Sequence, residues 1–130
     1  MYTVLIVDDQ QLFRDLARSM LHSSNAFSVV GDAADGRDAL DLYDALRPDL
    51  VLMDVQMERM DGLEATRRIM QKDANANVLL TSMSGDPAYE RLGRELGVMA
   101  FVPKRELRPS AIKEMLDQRA ALIDAGRRAA

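Results

Sequence analysis

Two adjacent carboxylates follow an apolar run near the start of the chain. Leu5-Ile6-Val7 leads directly into Asp8-Asp9. Like charges that are clustered away from water repel one another, and each carboxyl then holds its proton more tightly. Such a pair is favourable either as the cap of a following helix or as part of a cation site. The pair alone does not distinguish these two interpretations.

Three more polar residues stand at the ends of apolar runs. They are Asp54 after residues 50–53, Ser82 at the end of residues 77–82, and Lys104 after residues 99–102. Carboxylates are ligands for hard divalent cations such as Mg²⁺, and an ionised carboxylate such as Asp54 can also attack phosphorus. Lys104 could neutralise one phosphoryl oxygen and Ser82 could donate a hydrogen bond to another. Brought together, these residues would support phosphoryl transfer.

The elements that must position these residues alternate along the chain. Apolar runs predict strands at 4–7, 27–33, 50–53, 77–82 and 99–102, and helical spacing predicts helices at 10–22, 36–46, 61–72, 87–96 and 109–125. Strands that are apolar on both faces and separated by helices favour a parallel sheet covered on both sides, a three-layer α/β sandwich. In such sheets ligands bind beyond the carboxyl ends of the strands, where all these polar residues fall.

The bulk composition limits the alternatives. A chain of 130 residues predicts one domain, which we place at residues 1–125, with Gly126 ending the last helix and 126–130 as a short tail or the start of a linker. A net charge of −4 argues against direct nucleic-acid binding, and the lack of cysteine excludes thiol chemistry. We see no signal peptide and no apolar segment of about 20 residues, so we expect a cytoplasmic protein without a membrane contact.

Several motifs together resemble a bacterial response-regulator receiver domain of two-component systems. They are Val7-Asp8-Asp9, Met53-Asp54-Val55-Gln56-Met57, Met60-Asp61-Gly62, Ser82 and Lys104. The segments 30–36 and 47–49 look most like receivers that precede helix-turn-helix transcription factors. The resemblance implies a flavodoxin-like fold with five helices and strand order 2-1-3-4-5.

The resemblance also implies a role for each site residue. Asp54 would accept a phosphoryl group from a sensor histidine kinase or a phosphotransfer protein. Mg²⁺, or Mn²⁺ in its place, would be held by Asp8, Asp9, Asp54 and the backbone carbonyl of Gln56. Lys104 would pair with the phosphoryl group. Such a domain catalyses its own phosphoryl transfer and dephosphorylation without being a conventional enzyme.

Ser82 and Phe101 fall on the switch positions of the family. The resemblance implies that Ser82 is the switch hydroxyl, and Thr81 should point to the other face of its strand. The resemblance implies that these residues change the face formed by the fourth helix, fifth strand and fifth helix. This face would bind a downstream protein, an output domain outside this chain, or a second copy of the chain in a phosphorylation-dependent homodimer.

Some positions depart from the family pattern. Glu58 and Arg105 stand where many members have proline, and Met83 stands where a small residue is usual. Access to the phosphoryl group is expected to depend on four residues: Gln56, Glu58, Met83 and Ser84. These departures leave open a second function, a receiver-like docking module that works without phosphorylation. A small-molecule phosphatase is disfavoured because Gln56 replaces the second acid that it would need.

Overall fold

The computed structural model describes residues 1–57 and 59–129 of the chain. Strands and helices alternate in the predicted order. The elements are β1 (Tyr2–Val7), α1 (Gln11–His22), β2 (Phe27–Ala33), α2 (Gly36–Leu46), β3 (Leu50–Asp54), α3 (Gly62–Lys72), β4 (Val78–Thr81), α4 (Pro87–Leu96), β5 (Ala100–Phe101) and α5 (Pro109–Ala129), with a 3₁₀ turn at Lys104–Glu106.

The five strands form one parallel sheet with the order β2-β1-β3-β4-β5. The strand order that the resemblance implied is therefore confirmed. Val7 lies opposite Met53 in the neighbouring strand, and Asp54 lies opposite Thr81. Because the carboxyl ends of the strands are aligned in this way, the residues that follow them share one edge of the sheet.

Two apolar cores cover the two faces of the sheet, as expected for a three-layer sandwich. Side chains alternate between faces along each strand. In β1, Leu5 and Val7 pack into the core that contains α2 and α3, whereas Val4 and Ile6 pack into the core that contains α1 and α5. Burial on both faces explains why these strands are continuously apolar.

Aspartate caps fix the start of three helices. The side chains of Asp35, Asp61 and Asp86 accept hydrogen bonds from backbone N–H groups in the first turns of α2, α3 and α4. Helix α4 also has proline at its start and ends at Gly97, which has a positive φ of 82°. These local signals place the loops that surround the carboxyl edge of the sheet.

The structure corrects the predicted end of the last helix. Gly126 does not stop α5, which continues to Ala129. Alanine and arginine, both strong helix formers, surround this glycine and outweigh its cost of about 1 kcal/mol. In the described part of the chain, none of the helices is long and apolar enough to span a bilayer.

Candidate functional site

A cavity of about 190 Å³ lies at the carboxyl edge of the sheet. Its lining residues come from the ends of four strands: Asp9, Gln10, Asp54, Gln56, Ser82, Met83 and Lys104. Asp8 is fully buried and contacts the same lysine. The structure thus brings together the residues that the sequence placed at separate strand ends.

Gly62 allows α3 to begin directly against the end of β3. Its N–H donates to the carbonyl of Val55 at 3.1 Å. A Cβ atom at position 62 would lie 1.8 Å from the backbone carbonyl oxygen of Asp54, which no real contact permits. The missing side chain therefore lets the helix close over the strand end that carries Asp54.

Three carboxylates form a compact cluster. Asp8, Asp9 and Asp54 can each offer one oxygen, and these oxygens lie within 4.8 Å of one another. Asp8 and Asp54 are buried, whereas Asp9 is exposed. This set of oxygen donors suits a hard divalent cation such as Mg²⁺.

Asp8 does not cap the first helix. The N-cap of α1 is Gln10, which makes no side-chain cap. Asp8 Oδ1 instead accepts a hydrogen bond from the N–H of Gln10 at 2.8 Å. Its buried Oδ2 makes an ion pair with Lys104 Nζ at 2.6 Å. Because the N-cap of α1 is Gln10, the capping interpretation is wrong for Asp8.

Burial raises the pKa of the Asp54 carboxyl to about 6, with a further rise from the charge of Asp8 and a smaller one from Asp9. The Lys104 ammonium group and a hydrogen bond from the backbone of Gln56 oppose this rise. Repulsion between buried carboxylates is the situation that a bound cation relieves.

Lys104 is held between the acids and an aromatic ring. Its Nζ lies 4.0 Å from Asp54 Oδ2 and 4.2 Å from the centre of the Phe13 ring. Its backbone N–H donates to the carbonyl of Ser82 at 2.9 Å. The cation–π contact with Phe13 was missed, because the sequence places Phe13 on α1 without showing how that helix is rotated over the site.

Ser82 and Thr81 have different surroundings, as predicted. Ser82 is buried and lines the cavity, and its Oγ accepts a hydrogen bond from the N–H of Ser84. Thr81 is also buried, but its hydroxyl donates to the carbonyl of Val102 at 2.7 Å. Of the two, only Ser82 contributes to the lining of this cavity.

The remaining predicted site residues surround the cavity mouth. Gln56 lines the cavity, and its Nε2 donates to the hydroxyl of Tyr89 at 2.6 Å. The ring of Tyr89 lies 6.0 Å from that of half-buried Phe101. Met83 lines the cavity and is 74% exposed.

The roles expected of the other residues near the rim stay predictions. Ser84 is exposed, and Arg105 is an exposed residue of the 3₁₀ turn. Glu58 lies outside the described residues. Tyr89 was not foreseen, and its place in the first turn of α4 gave no sequence signal of a contact with Gln56.

A parallel sheet of order 2-1-3-4-5 that carries an acid cluster, a lysine and a hydroxyl at its carboxyl edge defines a flavodoxin-like domain with an acidic pocket. Residues 4–117 match the family model described as "Response regulator receiver domain". The chain belongs to this family, whose members serve in two-component signalling systems.

Relatives and solved structures agree with this assignment. The chain is 37% identical over 128 residues to a protein-glutamate methylesterase/protein-glutamine glutaminase from Alkalilimnicola ehrlichii. The aligned region covers 95% of this chain and 33% of that protein. The chain thus spans about a third of that relative's length. A LuxR-family two-component response regulator from Aurantimonas sp. SI85-9A1 has a TM-score of 0.84 and 32% identity, over 92% of this chain and 87% of that one. CheY in a CheX-CheY-BeF₃-Mg²⁺ complex from Borrelia burgdorferi has a TM-score of 0.76 and 29% identity, over 88% and 86%.

Proposed function

We propose that this receiver domain accepts a phosphoryl group on Asp54 from a phosphohistidine of a sensor histidine kinase or a phosphotransfer protein. One observation carries the proposal. Asp54 and Asp9 line one open cavity and form a cluster of three carboxylates with buried Asp8. Lys104 Nζ lies 2.6 Å from the Asp8 carboxylate and 4.0 Å from that of Asp54.

The acid cluster would hold Mg²⁺, with Mn²⁺ as a substitute. Asp8, Asp9, Asp54 and the backbone carbonyl of Gln56 are the proposed ligands. The burial of Asp8 in a cluster whose carboxylate oxygens lie within 4.8 Å of one another supports this assignment. The related CheY from Borrelia burgdorferi was solved in a complex with CheX, BeF₃ and Mg²⁺. When bound, the cation supplies positive charge that offsets the charge of the carboxylates and of the phosphoryl oxygens.

The transfer needs no general base. An ionised Asp54 oxygen forms a bond to phosphorus while the bond from phosphorus to the donor imidazole nitrogen breaks, and its electron pair stays on that nitrogen. Lys104 Nζ pairs with one phosphoryl oxygen, and the hydroxyl of Ser82 donates to another. A carboxyl with a pKa of about 6 is mostly ionised at neutral pH even before the cation binds.

We further propose that Ser82 and Phe101 transmit the change to the partner-binding face formed by α4, β5 and α5. A coupling of about 1–3 kcal/mol is enough to change partner affinity 5–150-fold. The partner would be a downstream protein, an output domain outside this chain, or a second copy of this chain. The exchange would take place in the cytoplasm. Gln56, Ser84, Met83 and Glu58 would tune the lifetime of the phosphoryl group.

Intact mass spectrometry after incubation with acetyl phosphate tests the proposal. We expect one phosphoryl adduct that requires Mg²⁺ and is absent from Asp54→Asn. Asp44→Asn is the matched control, because it neutralises an exposed carboxylate that pairs with Lys72 away from the cavity. Failure of acetyl phosphate, of a phosphohistidine donor and of beryllofluoride to modify or bind the wild type would instead favour the docking module without phosphorylation.

A further inference from the structure

One hydrogen bond joins the cavity to the first turn of α4. Gln56 lines the cavity, and its Nε2 donates to the hydroxyl of Tyr89 at 2.6 Å. We propose that Tyr89 is a positioning residue, which holds the Gln56 carboxamide toward α4 and so slows hydrolysis of a phosphoryl group on Asp54. This inference rests on the proposed function and assigns a regulator to the same site.

Packing against the core anchors the ring of Tyr89. Its half-buried ring packs against the core that covers this face of the sheet and lies 6.0 Å from the ring of Phe101. Gln56 is exposed and would otherwise sample several rotamers. Holding it in one rotamer costs conformational entropy, which the hydrogen bond must offset. The bond to the hydroxyl of this packed ring therefore favours one orientation of the amide.

A series of three hydrogen bonds fixes the turn that carries Tyr89 relative to the cavity. The Oγ of Ser82 accepts from the N–H of Ser84, and the Oγ of Ser84 accepts from the N–H of Asp86. Asp86 then caps α4 by accepting from the N–H of Ala88 at 2.9 Å. The switch hydroxyl and the first turn of α4 are thus connected by consecutive side-chain to backbone bonds.

The orientation of the Gln56 amide matters because hydrolysis needs a positioned water. In that step the water oxygen bonds to phosphorus, the bond from phosphorus to Asp54 breaks, and the electron pair returns to the carboxylate. Both water protons leave with inorganic phosphate. A glutamine amide can orient an attacking water in phosphoryl transfer, since it has both donors and an acceptor. An amide held by Tyr89 is less free to do so.

The decisive experiment measures phosphate release from phosphorylated protein after the donor is removed. The variants are Tyr89→Phe, Gln56→Ala and the double variant. Tyr43→Phe is the matched control, because it removes a tyrosine hydroxyl that bonds Asp73 instead of a cavity residue. We expect Tyr89→Phe to release phosphate about three- to tenfold faster, the range set by loss of one net hydrogen bond. The double variant should match Gln56→Ala, and Tyr43→Phe should match the wild type.

The failures of the two proposals are distinguishable. If the wild type forms no adduct with any donor, the proposed function is wrong and this inference falls with it. If the adduct forms normally, an unchanged rate in Tyr89→Phe overturns the inference alone, as does equal acceleration in the Gln56→Ala background. The side-chain amide NMR signals of Gln56 give a second readout in the unphosphorylated protein. They should shift in Tyr89→Phe and stay in place in Tyr43→Phe, and unchanged signals in Tyr89→Phe would refute the restraint.

Discussion

Asp54→Asn should make the protein more stable at neutral pH when divalent cations are absent. The Asp54 side chain is 7% exposed, and its burial followed by the charge of Asp8 raises the pKa from 3.8 to about 6. Lys104 offsets only part of this rise. Folding therefore places an ionised carboxylate where the charged form is disfavoured.

The magnitude follows from linkage. A difference of about two pKa units, at about 1.4 kcal/mol each, corresponds to roughly 3 kcal/mol. Because the folded pKa exceeds the unfolded value, the folded state holds the proton more tightly. Wild-type stability thus falls as the pH rises from about 4 to about 6, and the full penalty applies above that range. Asparagine does not ionise, so the gain of Asp54→Asn should be about 3 kcal/mol near neutral pH and about half that at about pH 5.

Urea unfolding in the presence of EDTA, at neutral pH and at about pH 5, measures this difference. Asp44→Asn is again the control. The Asp44 carboxyl is exposed, and its hydrogen bond and ion pair with Lys72 at 2.8 Å lower its pKa. Asp44→Asn should therefore show no gain in stability. A variant Asp54→Asn that is no more stable than the wild type at neutral pH, or a gain that grows as the pH falls, would refute the electrostatic argument.

Three further outcomes follow from the same contacts. Mg²⁺ at a hundredfold excess over its Kd should stabilise the wild type by about 3 kcal/mol in thermal unfolding, and Asp8→Asn should lose most of this effect. Gly62→Ala should lower the free energy of unfolding by about 3 kcal/mol in urea, because its Cβ would lie 1.8 Å from the Asp54 carbonyl oxygen. Gly126→Ala should stabilise the end of α5 by about 0.5–1 kcal/mol, measured by amide hydrogen exchange, because its Cβ would meet no atom within 4 Å.

Each of these three predictions would be contradicted by a specific result. An equal Mg²⁺ effect in Asp8→Asn would remove Asp8 from the proposed ligand set. A fully stable Gly62→Ala would mean that the start of α3 can move away from β3 at little cost. Faster exchange in Gly126→Ala would contradict the helical continuation of α5 through Gly126.

The sequence predicted the architecture well where burial dictates the pattern. Strands such as 50–53 are continuously apolar because both faces of the sheet are covered, and helix starts such as Asp61 depend on a local cap. Strand order is a different matter, since the apolar pattern is compatible with several orders. The order was available from the family resemblance, not from the pattern itself.

The convergence of the site was also predictable, because residues after parallel strands share one edge. Contacts that depend on helix rotation were not. The bond between Gln56 and Tyr89 and the contact between Lys104 and Phe13 join residues of distant segments, and no periodicity fixes their relative orientation. The end of α5 was misjudged at Gly126, because a single glycine signal was weighed above the helix-forming residues around it.

The most direct test of the account locates the phosphoryl group on the chain. Protein treated with acetyl phosphate and Mg²⁺ would be reduced with borohydride, which converts an aspartyl phosphate to homoserine, and then mapped by peptide mass spectrometry. We expect homoserine at position 54 and at neither Asp8 nor Asp9. Homoserine at another aspartate, with position 54 unmodified, would contradict it.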